Sequence, residues 1–125
     1  MSKDKKLDTG KQVDSHHQEG NGQKWDEGKQ SWFSMPLIIL KPLSDVFEAG
    51  IAKGYGRFNC LLPFTDSNRR FYDGQMRHTE ACQLDPLAID EETGCYHSAQ
   101  IAFNSLLRLH NALQERAKNI AENNQ

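Results

Sequence analysis

The apolar periodicity of the last third of the chain constrains the fold more than any other feature. Ala99, Phe103, Leu106, His110, Leu113, Ala117 and Ile120 recur at helical spacing, and Leu107 and Leu109 widen the stripe. Residues three, four and seven apart share one face of a helix. The pattern therefore predicts a long helix over residues 96–117, with residues 121–125 frayed. A stripe this wide exceeds what one short helix pair can cover, which predicts a helix bundle completed by homo-oligomerisation.

Two more helices are predicted upstream. Pro42 suits the first turn of a helix over residues 43–52, whose apolar face is Leu43, Val46, Phe47 and Ile51. Gly54 and Gly56 end it and set Lys53, Tyr55, Arg57 and Asn59 on a turn. After a loop at residues 60–67, a helix over residues 69–83 is expected to bury Phe71, Tyr72, Met76, Thr79 and Cys82. Its other face would present Gly74, His78 and Ala81. No segment alternates as a strand would. The body, residues 35–120, is thus predicted to be all-α, a bundle of three to four helices.

Residues 1–34 cannot contribute to that body. Leu7, Val13 and Trp25 are nearly the whole apolar content of residues 1–31, too little to offset the entropy of ordering them. A disordered polar tail is expected. Its lysines are balanced by Asp4, Asp8, Asp14, Glu19, Asp26 and Glu27, so it is no basic arm for nucleic acid. The adjacent His16 and His17 do not by themselves make a metal site. Trp25, Trp32 and Phe33 are suited to docking on the body or on a partner.

Net charge is -2 and mean hydropathy -0.76 over 125 residues, which gives no global argument for nucleic acid. A single-strand surface built from Arg57, Arg69, Arg70 and Arg77 with Tyr55, Phe58 and Phe71 runs against that acidity. The longest apolar run, residues 35–40, is far short of the ~18 residues a membrane span needs. Three cysteines without a C-x-x-C pair fit neither a disulfide framework nor a zinc knuckle. Reduced thiols in a cytoplasm fit them best.

The chemistry concentrates at residues 90–104, D-E-E-T-G-C-Y-H-S-A-Q-I-A-F-N. An acidic turn leads into a helix on which His97, Gln100 and Asn104 share one face, opposite Ile101, Phe103 and Leu106. Thr93 or Gly94 sits where a helix cap belongs. Carboxylate oxygens beside an imidazole suit a divalent cation and a phosphate-bearing ligand. A capped helix start with a polar outer face accounts for the same spacing.

Over residues 40–109 the chain resembles the phage-encoded dATP/dGTP diphosphohydrolase-like family. In that family a helix ends in A-K-x-Y-G followed by an Asn, and a second helix carries R-H. An acidic D-x-E-[ST]-G turn then opens a helix reading H-x-x-H-x-x-x-N. Here the blocks are Ala52-Lys53-Gly54-Tyr55-Gly56 with Asn59, then Arg77-His78, then Asp90-Glu91-Glu92-Thr93-Gly94, then His97, Gln100 and Asn104. Two positions depart from the pattern: Gln100 replaces a second His, and Cys60 follows Asn59 where the family has Trp. An amide oxygen is a weaker ligand than imidazole for a transition metal but acceptable to Mg²⁺.

The resemblance implies a metal-dependent hydrolase that converts a purine dNTP to dNMP and pyrophosphate, controlling a phage nucleotide pool in the host cytoplasm. It implies Mg²⁺ or Mn²⁺ held by His78, Asp90, Glu92 and His97, with Glu91 or Glu80 handling the attacking water. Lys53, Arg57 and Arg77 would then meet phosphate oxygens. Tyr55 and Asn59 would meet the base or sugar, and Asn104 would also face the substrate. The alternative is a catalytically silent nucleotide-binding or interaction module, whose tail aromatics dock a host or phage protein.

Overall fold

A computed structural model describes residues 21–124. The chain divides into two units, Met1–Met35 and Pro36–Gln125. In the first, residues 21–35 form turns, closed by Lys29 N–H donating to Asp26 O and Met35 N–H to Trp32 O, both at 3.0 Å. Trp32 and Phe33 are exposed there. The expectation of a disordered tail, with His16 and His17, falls largely on residues 1–20, outside the described residues.

The second unit is all-α. It contains helices α1 (Lys41–Ala52), α2 (Ser67–Ala81) and α3 (His97–Asn123), with short 3-10 turns at Leu37–Leu40 and Asn59–Leu61. Among the described residues the only β-type pairing is an isolated antiparallel bridge, Ile89 with Tyr96. Pro42 lies in the first turn of α1, where its missing N–H costs nothing. The helix stops as its glycine demands: Gly54, at φ +98, donates to Ile51 O (2.9 Å), and Tyr55 N–H reaches back to Gly50 O (3.3 Å). This pair of bonds is the Schellman closure, and it fixes Lys53 and Tyr55 at the end of α1.

Helices α2 and α3 run antiparallel, zipped by polar contacts. Asn111 donates to Ser67 Oγ (3.1 Å) and Asn68 Oδ1 (3.0 Å) at one end, and Arg108 to Gln75 Oε1 (3.0 Å). Midway, Gly74 lets the backbones close. A Cβ there would come within 3.0 Å of Asn104 Oδ1. His78 meets His97 at the other end. Helix α1 packs across α3 through Phe47 and Phe103, whose rings meet edge to face at 5.0 Å. Val46, Cys95 and Ala99 form the buried cluster between them.

Two expectations about helix faces hold only in part: Phe71 of α2 and Ala99 and Leu107 of α3 are buried as expected. Tyr72 and Met76 of α2 are exposed, while Gly74 is buried and His78 half-buried against α3. On α3 the polar Gln100 and Asn104 are buried, and Leu106, Leu109, Leu113 and Ile120 are 45–56% exposed. Gly74 leaves room for the Asn104 side chain between the helices, which lets a polar group be buried there. Helix α3 also extends past residue 117 to Asn123, so residues 121–123 are helical. Its cap position is Tyr96 with no side-chain cap bond, and Thr93 Oγ1 accepts from Cys95 N–H (3.2 Å) within the preceding turn.

Candidate active site

Three elements deliver three ligating side chains to one place. His78 comes from the last turn of α2, His97 from the first residue of α3, and Asp90 from the turn that leads into α3. One donor atom from each lies within 4.8 Å of the other two. The turn is held at both edges by the chain itself. Asp90 N–H donates to Cys95 O (2.8 Å), His97 N–H to Ala88 O (3.0 Å), and Gly94, at φ +76, donates to Asp90 O (2.7 Å). Only a residue without a Cβ takes that backbone conformation freely.

The Asp90 carboxylate is oriented by two donors. Oδ1 accepts from Glu92 N–H (2.9 Å) and Oδ2 from Gln100 Nε2 (3.0 Å). Gln100 Nε2 also reaches Thr93 Oγ1 (3.2 Å), and Asn104 Nδ2 donates to Gln100 O (2.7 Å). Burial works to raise the pKa of Asp90. The Gln100 and Glu92 hydrogen bonds, with His97 and His78 nearby, outweigh it and hold the carboxyl below its ordinary value. His78 is pushed below the usual imidazole range by burial first and by His97 and Arg77 next, against the pull of Asp90 and Glu92. Both shifts favour the forms that ligate metal: a charged carboxylate and a neutral imidazole.

The donor set fits a divalent cation. His78 Nδ1 and His97 Nδ1 are 2.8 Å apart. That separation serves a shared proton, and is close to the ~3 Å between two nitrogens side by side on one ion at ~2.1 Å each. Two imidazoles and one carboxylate favour a first-row transition ion such as Mn²⁺ over Mg²⁺, which prefers oxygen.

A cleft of about 1020 Å³ opens beside His78, Thr93 and Gln100, at the upper end of the roughly 300–1,000 Å³ of small-molecule sites. All six residues expected to bind substrate line it: Lys53, Tyr55, Arg57, Asn59, Arg77 and Asn104. Arg69 and Arg70 add to them, so five cations face two carboxylates, Glu48 and Asp73. Two of the five are already paired, Lys53 with Glu92 at 3.3 Å and Arg69 with Asp73 at 3.1 Å. Arg77 forms no ion pair among the described residues. Phe47, Phe64, Phe71 and Phe103 also border the space.

Not every expected residue is brought together. Glu92 is drawn to Lys53 and stands outside the three-donor group, with its side chain 76% exposed. Glu80, two residues beyond His78 on α2, points away because successive side chains two apart lie on nearly opposite faces; it is exposed. Glu91 is exposed on the acidic turn beside Asp90. Sequence reasoning also missed that Gln100 and Thr93 brace Asp90. Thr93 precedes the helix that carries Gln100, so no helical spacing linked them.

Comparison with known proteins adds one finding. The family model described as "dATP/dGTP diphosphohydrolase, N-terminal" matches residues 19–121. No curated protein and no solved structure gives a match. The matched span contains α1, α2, the acidic turn and most of α3, with every residue of the cluster and of the cleft. The chain belongs to the dATP/dGTP diphosphohydrolase N-terminal family.

Proposed function

We propose that the protein hydrolyses a purine deoxynucleoside triphosphate to the monophosphate and pyrophosphate. The observation that carries this reading is the convergence of His78, Asp90 and His97 at the edge of a cation-lined cleft large enough for a nucleotide. Membership of the family supports the substrate class. His78, Asp90 and His97 would hold a divalent ion, Mn²⁺ or Mg²⁺, which supplies Lewis-acid polarisation and a more acidic water when bound.

The remaining steps fall to the chain's own groups. Lys53, Arg57 and Arg77 bind phosphate oxygens and offset the charge that builds on the leaving pyrophosphate. Gln100 keeps Asp90 in its ligating orientation, and Asn104 lines the cleft that receives the substrate. Glu91, next to Asp90 on the turn, is the carboxylate we assign to taking the water's proton. Glu92 anchors Lys53 at the mouth of the cleft. Tyr55 and Asn59 contact the base or sugar.

Gln100 favours a second reading. Its amide nitrogen is committed to Asp90 and Thr93, where the family has an imidazole, which suits a module that binds nucleotide without turning it over. Incubation with each dNTP and Mn²⁺ or Mg²⁺, followed by separation of products, tests both. Purine dNMP with pyrophosphate is expected; nucleotide binding without pyrophosphate would establish the silent module instead. We also propose that a second copy covers the exposed leucines of α3, which sedimentation at graded concentrations tests: a monomer throughout would refute it.

A further inference from the structure

We propose that Phe58 is the platform on which the base of the bound nucleotide stacks, an inference that rests on the nucleotide reading above. Residues 56–59 form a tight turn closed by Asn59 N–H donating to Gly56 O at 3.0 Å. Phe58 occupies its third position at φ 64 and ψ 13, left-handed values that such turns ordinarily give to Gly or Asn. A bulky aromatic is costly there.

Packing does not repay that cost. Phe58 is 60% exposed and takes no part in the edge-to-face contacts linking Phe47, Phe64, Phe71 and Phe103. Among the described residues its one ring partner is its neighbour: the Arg57 guanidinium carbon lies 4.5 Å from the ring centroid. The ring nevertheless borders the cleft. A strained, exposed aromatic at the wall of a ligand-sized cleft points from the backbone outlier to a binding role.

The chemistry selects the base as its ligand. A flat apolar ring backed on one side by a guanidinium offers its other side for stacking, and every nucleobase has a π-face to meet it. Cations of the same cleft (Lys53 and Arg77) serve the triphosphate, so one cleft carries a site for each end of the molecule. Tyr55 is less suited, because its ring packs along α1: a Cβ on Gly50 would lie 3.9 Å from Tyr55 Cδ2.

Calorimetry on the full chain with Mn²⁺ tests this, using a non-hydrolysable α,β-methylene dATP and inorganic tripolyphosphate as separate probes. Phe58→Gly should weaken binding of the nucleotide analogue roughly ten-fold or more and leave tripolyphosphate affinity within two-fold. Thermal stability should hold or rise, because glycine relieves the left-handed backbone. Phe58→Trp should restore analogue binding. Unchanged analogue affinity in Phe58→Gly, or an equal loss for both probes, overturns the stacking role while the nucleotide reading stands. A wild-type chain that binds neither probe overturns both.

Discussion

The two halves of α3 obey opposite rules. Along residues 97–111 the helix is matched against α2 and α1, and it buries the polar Gln100 and Asn104, 7% and 8% exposed, alongside the apolar Ala99 and Leu107. Beyond Asn111 every described residue of the helix is exposed, Leu113 and Ile120 among them. A dozen helical residues without tertiary support are marginal in water. The first half is therefore organised around chemistry and the second around whatever covers it. Amphipathicity alone does not tell which face of a helix is inside when a site needs its polar face.

The largest test of that contrast removes the proposed metal ligands from the organised half. His97→Ala or Asp90→Asn should cut metal-dependent dNTP turnover by orders of magnitude while far-UV circular dichroism stays unchanged. Full activity in either variant would place the chemistry elsewhere. Next in size is the close approach at Gly74. Gly74→Val should destabilise the fold by about 1–3 kcal/mol in urea titration, because its Cβ alone would come within 3.0 Å of the buried Asn104 side chain. A neutral result would mean that the α2–α3 contact is looser than 3.0 Å implies.

A smaller effect concerns Gln100. Gln100→Leu leaves one oxygen of Asp90 without its side-chain donor, and should cost about 1–2 kcal/mol together with weaker Mn²⁺ binding by calorimetry. Retained Mn²⁺ affinity would show that the turn alone orients Asp90.

The pH response follows from His78. In the unfolded chain its imidazole takes a proton near pH 6.5, whereas burial, His97 and Arg77 make the folded side chain resist it. Between the lowered folded value and about 6.5 the unfolded state thus binds more protons, and stability falls as pH drops through that window. Metal-free protein should show this slope in thermal melts, and His78→Gln should flatten it. An unchanged slope in the variant would assign the effect to another group. The smallest effect belongs to the open half. Leu113→Lys should shift the stability of dilute monomer by no more than about 0.5 kcal/mol, and a larger loss would show that the face is covered after all.

The sequence was legible where local rules decide. Pro42 and the Gly54 stop placed α1 within two residues of Lys41–Ala52, and the periodic run located α3. Arg77-His78 and the acidic turn marked His78 and Asp90, which the fold brings beside His97, before any geometry was known. Illegible was what depends on two helices meeting. Tyr72 and Met76 were expected inside because they are apolar, yet Gly74 and His78 face α3. Glu92 was grouped with Asp90 through the family's acidic turn, and no local rule foretold its long-range pairing with Lys53. The Asp90–Gln100 bond joins a turn to a helix, so periodicity within either one is blind to it.

The bridge between Ile89 and Tyr96 has a further consequence. Its flanking bonds, Asp90 N–H to Cys95 O and His97 N–H to Ala88 O, make the acidic turn a clasp of set length. One residue inserted there would swing Asp90 off its two imidazole neighbours. The same insertion between Gln83 and Pro86, among exposed residues, should be borne more easily, so tolerance to insertions should map where the chain is clamped.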